Sequence, residues 1–227
     1  MPHGILYGVS VGPGDPELLT LKALRIIKEC PVLAVPRTGG ERTLALDILR
    51  QAMDISSHTI LHLDFKMTRF EQEREENHRE NAQKIMDILS EGKSVAMPNL
   101  GDVSIYSTYS YMARQAETRG FQTVMIPGVP SFCAAAAALN IALTEMEKPV
   151  HILPCSGNSF PESDSLGGTR IFMKPPRDFS AFQHYFDTPG LETAAVQDCG
   201  LPGENICRNG EDLQSDHYFT TLIVREK

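Results

Sequence analysis

Three times in the first 143 residues an apolar segment runs through a glycine turn into a helical pattern. Ile5–Val11 reads as a buried strand that breaks at Gly12-Pro13-Gly14-Asp15-Pro16. There Asp15 can cap the next helix, with Pro16 at its first position, where a missing N–H costs nothing. Ser94–Met97 leads into a turn at Asn99–Asp102 and a helix from about Ile105. Gln122–Ile126 leads through Gly128 and Pro130 into a small-residue helix, Ser131–Leu139. Between the first two turns lie a short strand at Val32–Val35, a helix at Thr43–Met53 and an alternating strand at Thr59–Leu63. A further helix carries Ala82, Ile85, Met86 and Leu89 on one face and closes at Gly92. Strands that alternate with helices require a mostly parallel sheet covered by helices, an α/β fold.

The texture changes after Leu143. Residues 144–148 are charged and run into Pro149, which predicts a linker between an N-terminal α/β domain (1–143) and a smaller mixed α/β domain (149–227). The second part holds short strands at Val150–Pro154, Thr169–Met173, Leu191–Val196, Asn205–Arg208 and Tyr218–Val224. A turn-rich loop, Cys155–Gly168, joins the first two of these.

Composition narrows the function classes. A hydrophobic share of 41% and a charged share of 22% are those of a soluble globular protein. No run approaches the roughly 18 apolar residues of a membrane span, and the N-terminus lacks a secretory pattern. The five cysteines are scattered without a C-x-x-C pair, which argues against a disulfide framework or a thiolate zinc site and for a reducing cytoplasm. A formal charge of −8 argues against nucleic-acid binding, which needs Lys and Arg to neutralise phosphate. It leaves room for an anionic small molecule in a locally basic pocket.

The first turn is not a phosphate cradle. Position 17 is Glu17, where both the dinucleotide fingerprint and the P-loop need glycine. Pro13 and Pro16 also remove N–H groups that would hold phosphate. The plainest reading of this turn is a tight strand-to-helix connection capped by Asp15. The second turn sets Gly101-Asp102 at the carboxyl end of a strand, where open α/β sheets bind ligands. Ser104, Tyr106, Ser107, Thr108, Tyr109 and Ser110 then crowd hydroxyls beside it. In the third, Gly128 and Pro130 shape the turn, Ser131 can cap, and the alanines allow close packing on the sheet.

"YGVSVGPGDPELLTLKA", "LGDVSIYSTYSYM" and "IPGVPSFCAAAAALNIAL", in this order and spacing, resemble the tetrapyrrole (cobalamin-pathway) methylases. "ENAQKIMDILSEGKSVAM" and "YFTTLIV" add to the resemblance, which covers nearly the whole chain. Within the family the motifs are most similar to the branch that methylates carbon 20 of precorrin-2 or cobalt-factor II. The resemblance implies a two-domain α/β fold with S-adenosylmethionine in the cleft between domains, a tetrapyrrole trough over the first domain, and a homodimer. Carried onto this sequence, it implies cofactor contacts from Pro13, Leu100, Gly101, Asp102, Ile105, Pro130 and Ser131, and from Met173 and Gly200 in the second domain. Proline usually follows the glycine-aspartate pair, whereas this chain has Val103, which restores an N–H, frees φ and predicts a less rigid turn.

The implied reaction moves a methyl group from a sulfonium to a ring carbon, so the protein needs to align the reactants and exclude water. Neither a covalent nucleophile nor a protein-bound metal is expected, and Asp102 is the candidate catalytic group, mainly as a positioning one. His58 and His62 are spaced i, i+4 but read as one strand face without a third ligand. The acetate and propionate groups of the substrate call for basic partners, with Arg37, Arg42, Lys66 and Arg69 as candidates. The charged run Glu71–Glu80 reads as a solvated helix face. Three other readings stay open: methylation of another tetrapyrrole (uroporphyrinogen III or a later corrin), a silent binding homologue, and a nucleotide-dependent enzyme.

Overall fold

The structure is a computed structural model that describes residues 3–37, 43–66, 68, 70–155, 163–175, 179–214 and 219–227. Two compact units divide the chain, Met1–Pro130 and Ser131–Lys227. The division lies ahead of the 144–148 segment in which the sequence predicts a linker.

In the first unit the chain runs β1 (Ile5–Ser10), α1 (Leu21–Glu29), β2 (Val32–Arg37), α2 (Leu44–Ala52), β3 (Thr59–Asp64), α3 (Glu71–Ser90), β4 (Val95–Asn99), α4 (Tyr109–Thr118) and β5 (Gln122–Ile126). The sheet order is β3-β2-β4-β1-β5, and every pairing is parallel. From β1 the chain crosses to β2 on one side, and from β4 it crosses to β5 on the other. The carboxyl ends of β1 and β4, which are neighbours, therefore sit where the connections diverge, and there the loops leave a crevice.

Alternation along each strand sorts side chains to two faces. Leu6, Leu63 and Met97 meet Ile85, Leu89, Tyr109 and Met112 of α3 and α4. Val9, Leu33 and Val35 meet Ala23, Ile27, Ile48 and Leu49 of α1 and α2. Thr20 caps α1 by accepting from the Ala23 N–H at 3.1 Å, and Gly92 ends α3 at φ +81°. The polar face expected over Glu71–Glu80 is mostly exposed, with Asn77 as the exception. Asn77 and, one turn further on, Asn81 are buried, and both donate to the Asp64 carbonyl at 2.9 Å, which fastens the exit of β3. Helix α4 begins at Tyr109, later than the Ile105 expected from sequence. Tyr106 has φ +49°, outside the helical region, so the hydroxyl-rich run forms an open turn first.

The second unit holds α5 (Ser131–Leu139), β6 (Val150–Pro154), β7 (Thr169–Met173), α6 (Gln183–Asp187), β8 (Leu191–Gln197), β9 (Asn205–Cys207) and β10 (Thr220–Glu226). Its sheet order is β6-β7-β10-β8-β9, with β6–β7 parallel and the other pairs antiparallel. Helix α5 touches β8 and β10. Phe172, Phe182, Tyr185, Ala195, Leu222 and Val224 form the centre of the core, with the Phe172 and Phe182 rings edge to face at 5.3 Å. Among the described residues no helix is long and apolar enough to cross a membrane.

Gly8 of β1 lies directly beneath the buried ring of Tyr109, whose hydroxyl donates towards the carbonyls of Leu6 and Val124 at 3.3 and 3.2 Å. A Cβ on Gly8 would come within 2.6 Å of the ring. Gly8→Ala is expected to cost about 1–3 kcal/mol by overpacking. Urea unfolding measures this, and a midpoint equal to that of the wild type would refute the packing account.

Candidate functional site

The site grows from the ends of β1 and β4. Past the last sheet residue of β1, the Val11 N–H still donates to Asn99 O at 2.9 Å. The next residue, Gly12, exchanges two backbone hydrogen bonds with Gly101, at 3.3 and 2.8 Å, and makes an isolated antiparallel bridge. Both glycines hold positive φ, +75° and +70°. Side chains rarely adopt this region, so glycine at both positions is a backbone requirement. The first and second turns are thereby joined directly.

Asp102 joins the second turn to the third. Its Oδ2 accepts from the Gly128 N–H at 2.7 Å, and its Oδ1 accepts from the Ser104 N–H at 2.8 Å and from the Ser104 hydroxyl. Burial pushes the carboxyl up, but the Gly128 N–H and both Ser104 donors outweigh it and hold the group below the usual carboxylate range. Ser10, fully buried at the end of β1, donates to Ile126 O at 2.8 Å and accepts from the Val103 N–H at 2.8 Å. The N–H that valine supplies is therefore bonded, and the turn is tied at this point where the sequence predicted a looser one.

The structure brings part of the sequence-derived set together. Pro13, Leu100, Gly101, Asp102, Ile105 and Pro130 all lie in the turns that follow β1, β4 and β5, and Pro13, Gly101 and Asp102 are buried. In the second unit, Met173 ends β7 and Gly200 (φ +74°) lies in the turn after β8. Met173 pairs with Thr221 and Gln197 with Thr220, so both residues sit at the end of that sheet where β10 starts. Ser131 opens α5. Of the basic candidates, Arg37 ends β2 in a two-point ion pair with Asp64, at 2.8 and 3.1 Å. Lys66 is exposed nearby, and Arg42 and Arg69 lie outside the described residues. His58 sits ahead of β3, not on it, with ring nitrogens 3.3 and 3.0 Å from the carbonyls of Ile55 and Ile27.

Two residues of this network were missing from the sequence-derived set, Ser10 and Gly128. The signal for Ser10 was a lone polar residue in an otherwise apolar strand end, "GVSVG". For Gly128 it was the need for a small residue at a close approach, since a Cβ there would lie 2.4 Å from Ser10 Cβ.

The charge of the turns selects a ligand class. Residues 7–20, 98–112 and 126–132 contain no Lys or Arg, and their only charged side chains are Asp15, Glu17 and Asp102. A polyphosphate would meet carboxylates and proline nitrogens there. A cationic sulfonium or ammonium meets three carboxylates and no cationic side chain from these turns, a set that fits S-adenosylmethionine.

An α/β chain with an all-parallel first sheet, a mixed second sheet and glycine turns knotted at a topological switch is one class of ligand-binding fold. The family model of the tetrapyrrole (corrin/porphyrin) methylases matches residues 5–212. The chain belongs to this family. It is 38% identical over 150 residues to a protein of Methanocaldococcus jannaschii named "Probable cobalt-precorrin-2 C(20)-methyltransferase", a match that covers 66% of this chain and 63% of that protein. It is 28% identical over 238 residues to the cobalt-precorrin-2 C(20)-methyltransferase of Salmonella typhimurium, covering 99% and 98% of the two chains. A crystal structure of the uroporphyrin-III C-methyltransferase of Thermus thermophilus complexed with S-adenosyl homocysteine shares the fold, with a TM-score of 0.66, 22% identity and 98% of each chain covered.

A carboxyl held low in the folded state adds stability that is complete above its unfolded value of about 3.9. That contribution is lost as pH falls through the lower folded value. Asp102→Asn is expected to cost about 1–3 kcal/mol at neutral pH, because an amide NH2 would then face backbone N–H groups. It should also flatten the acid side of the stability curve below pH about 4. Urea unfolding of both proteins across that range tests this, and parallel curves would refute the assignment of charge to Asp102.

Proposed function

We propose that the chain is an S-adenosylmethionine-dependent C-methyltransferase that methylates carbon 20 of precorrin-2 or cobalt-factor II in cobalamin biosynthesis. The observation that carries this reading is the set of knotted turns without cationic side chains at the carboxyl ends of β1, β4 and β5. The names of the two relatives support the substrate. A homodimer and a cytoplasmic setting belong to the same reading. The setting is supported by five free cysteines, with burial pushing the Cys30 and Cys199 thiols up to about 12 and those of Cys155 and Cys207 up to about 11.

Bound S-adenosylmethionine supplies a methyl group already activated on sulfur, and the electron-rich ring carbon of the tetrapyrrole is the nucleophile. The chain's own part is alignment. Pro13, Leu100, Gly101, Ile105 and Pro130 offer backbone and apolar surface to the donor. Asp102 holds the second and third turns in register; with both oxygens occupied by N–H and hydroxyl donors, it acts through the turns and not as a proton carrier. Arg37 and Lys66 at the exits of β2 and β3, with Arg42 and Arg69, serve the substrate carboxylates. Tyr106 and Tyr111 expose their rings in and after the second turn, and His78 stacks on Tyr111 at 4.6 Å. These rings give a flat macrocycle a face to rest on.

Incubation with labelled donor and each of the two tetrapyrroles, followed by mass analysis, tests the reading. One methyl gained at carbon 20 is expected. No gain on either substrate, or a gain only on uroporphyrinogen III, would overturn it. Tyr111→Ala should raise the KM for the tetrapyrrole by about 2–10-fold, the size of one aromatic stack, with donor affinity unchanged. Equal KM values for the variant and the wild type would remove Tyr111 from the substrate face.

A further inference from the structure

Ser10 is fully buried and carries no role in the reaction as described, yet it touches both turns that follow β4 and β5. Its hydroxyl spends its proton on Ile126 O at 2.8 Å and its lone pair on the Val103 N–H at 2.8 Å. Its Cβ occupies the place where Gly128 would otherwise carry one, 2.4 Å from the position such a Cβ would take. Gly128 in turn donates to Asp102 Oδ2. One side chain at the end of β1 therefore sets the residue after Asp102 by a hydrogen bond and the residue that holds Asp102 by contact.

We propose that Ser10 is a positioning residue, paired with Val103, that fixes the Gly101-Asp102-Val103 turn against the end of β5 and so shapes the methyl-donor lip. The proposal rests on the methyltransferase reading for its ligand, while the pairing itself rests on the hydrogen bonds alone. It has a stereochemical corollary. Proline at position 103 would remove the donor and put a ring carbon where the N–H now points at Ser10 Oγ. The hydroxyl of Ser10 stands in that path, so a residue without it, glycine above all, makes room. Serine with a non-proline residue, and glycine with proline, are the two compatible pairs. The mixed pairs leave a buried N–H without its acceptor or force a clash.

The test compares wild type, Ser10→Ala, Val103→Pro and the double variant S10G/V103P. Two quantities are read: the Kd for S-adenosylhomocysteine per folded chain, by calorimetry, and the exchange of the Val103 and Gly128 amides, by NMR without ligand. A role confined to global stability would lower the folded fraction and leave the Kd per folded chain unmoved. Ser10→Ala is expected to weaken binding about tenfold, the scale of one lost buried hydrogen bond, and to speed exchange at Val103 by at least as much while amides in β2 stay protected. Val103→Pro should weaken binding further. S10G/V103P should bind more tightly than Val103→Pro alone because the clash is gone, while staying weaker than wild type because the bond to Ile126 O and the contact with Gly128 are lost. A Kd and Val103 exchange within about twofold of wild type in Ser10→Ala, or a double variant no better than Val103→Pro alone, would overturn the proposal. If wild type itself fails to bind S-adenosylhomocysteine, the methyltransferase reading falls. Amide exchange in Ser10→Ala then decides for or against the Ser10–Val103 coupling on its own.

Discussion

Two backbone hydrogen bonds between Gly12 and Gly101 hold the candidate site together, and much else in the first unit follows from them. β1 and β4 are parallel neighbours whose chains must part at their carboxyl ends, one towards β2 and the other towards β5. Without a tie, the two exits would splay and leave their N–H and C=O groups to water. The antiparallel bridge closes them for one more pair, and only a reversal through positive φ makes that geometry available. An L side chain at either position would add roughly 1–2 kcal/mol of backbone strain. Asp102 and Ser10 then extend the tie from two exits to three, since both reach the end of β5.

This inward use of polar groups separates the turn from a phosphate loop. A phosphate loop keeps its N–H groups pointing at the ligand. Here the N–H groups of Val11, Gly12, Gly101, Val103, Ser104 and Gly128 are all spent within the protein. The charged side chains left on these turns are the carboxylates of Asp15, Glu17 and Asp102, the last already satisfied by donors. Such a lip is poor for an anion and good for a group that is cationic at sulfur. The absence of a third glycine after Gly12 and Gly14, visible in the sequence alone, thus has a counterpart in where the donors point.

The strands were legible because their period and their turn residues are local signals. Gln122–Ile126, Val150–Pro154 and Thr169–Met173 have the predicted bounds. The start of α4 was not legible, since Tyr106 takes positive φ where nothing in "SIYSTYS" demands it. The donors and acceptors around Asn99 decide the matter: Ser107 Oγ donates to Asn99 Oδ1 at 2.7 Å and accepts from the Tyr109 N–H at 3.0 Å. The place of α5 was hidden for another reason: its run of alanines carries no local signal for the strands it touches, β8 and β10. Glycine-rich motifs located the candidate site, whereas Ser10 acts through partners 93 and 116 positions away, and no local pattern reports those. Val103 was read as a loosening because the acceptor for its N–H lies on another strand.

The pairing of Arg37 with Asp64 bears on how a polyanionic substrate would be held. A bidentate pair between an arginine with 27% of its side chain exposed and an aspartate with 62% exposed is worth only about 0.2–1 kcal/mol. Exchanging Asp64 for a substrate carboxylate therefore costs little, while Asp64 keeps Arg37 extended at the strand end in the meantime. The backbone beneath that aspartate does not move with the exchange, because Asn77 and Asn81 both hold its carbonyl. A fixed main chain with a cheaply released guanidinium gives the proposed substrate face orientation without a large desolvation penalty. An arginine buried in a tight pair would have to lose several kcal/mol before it could turn to a new partner.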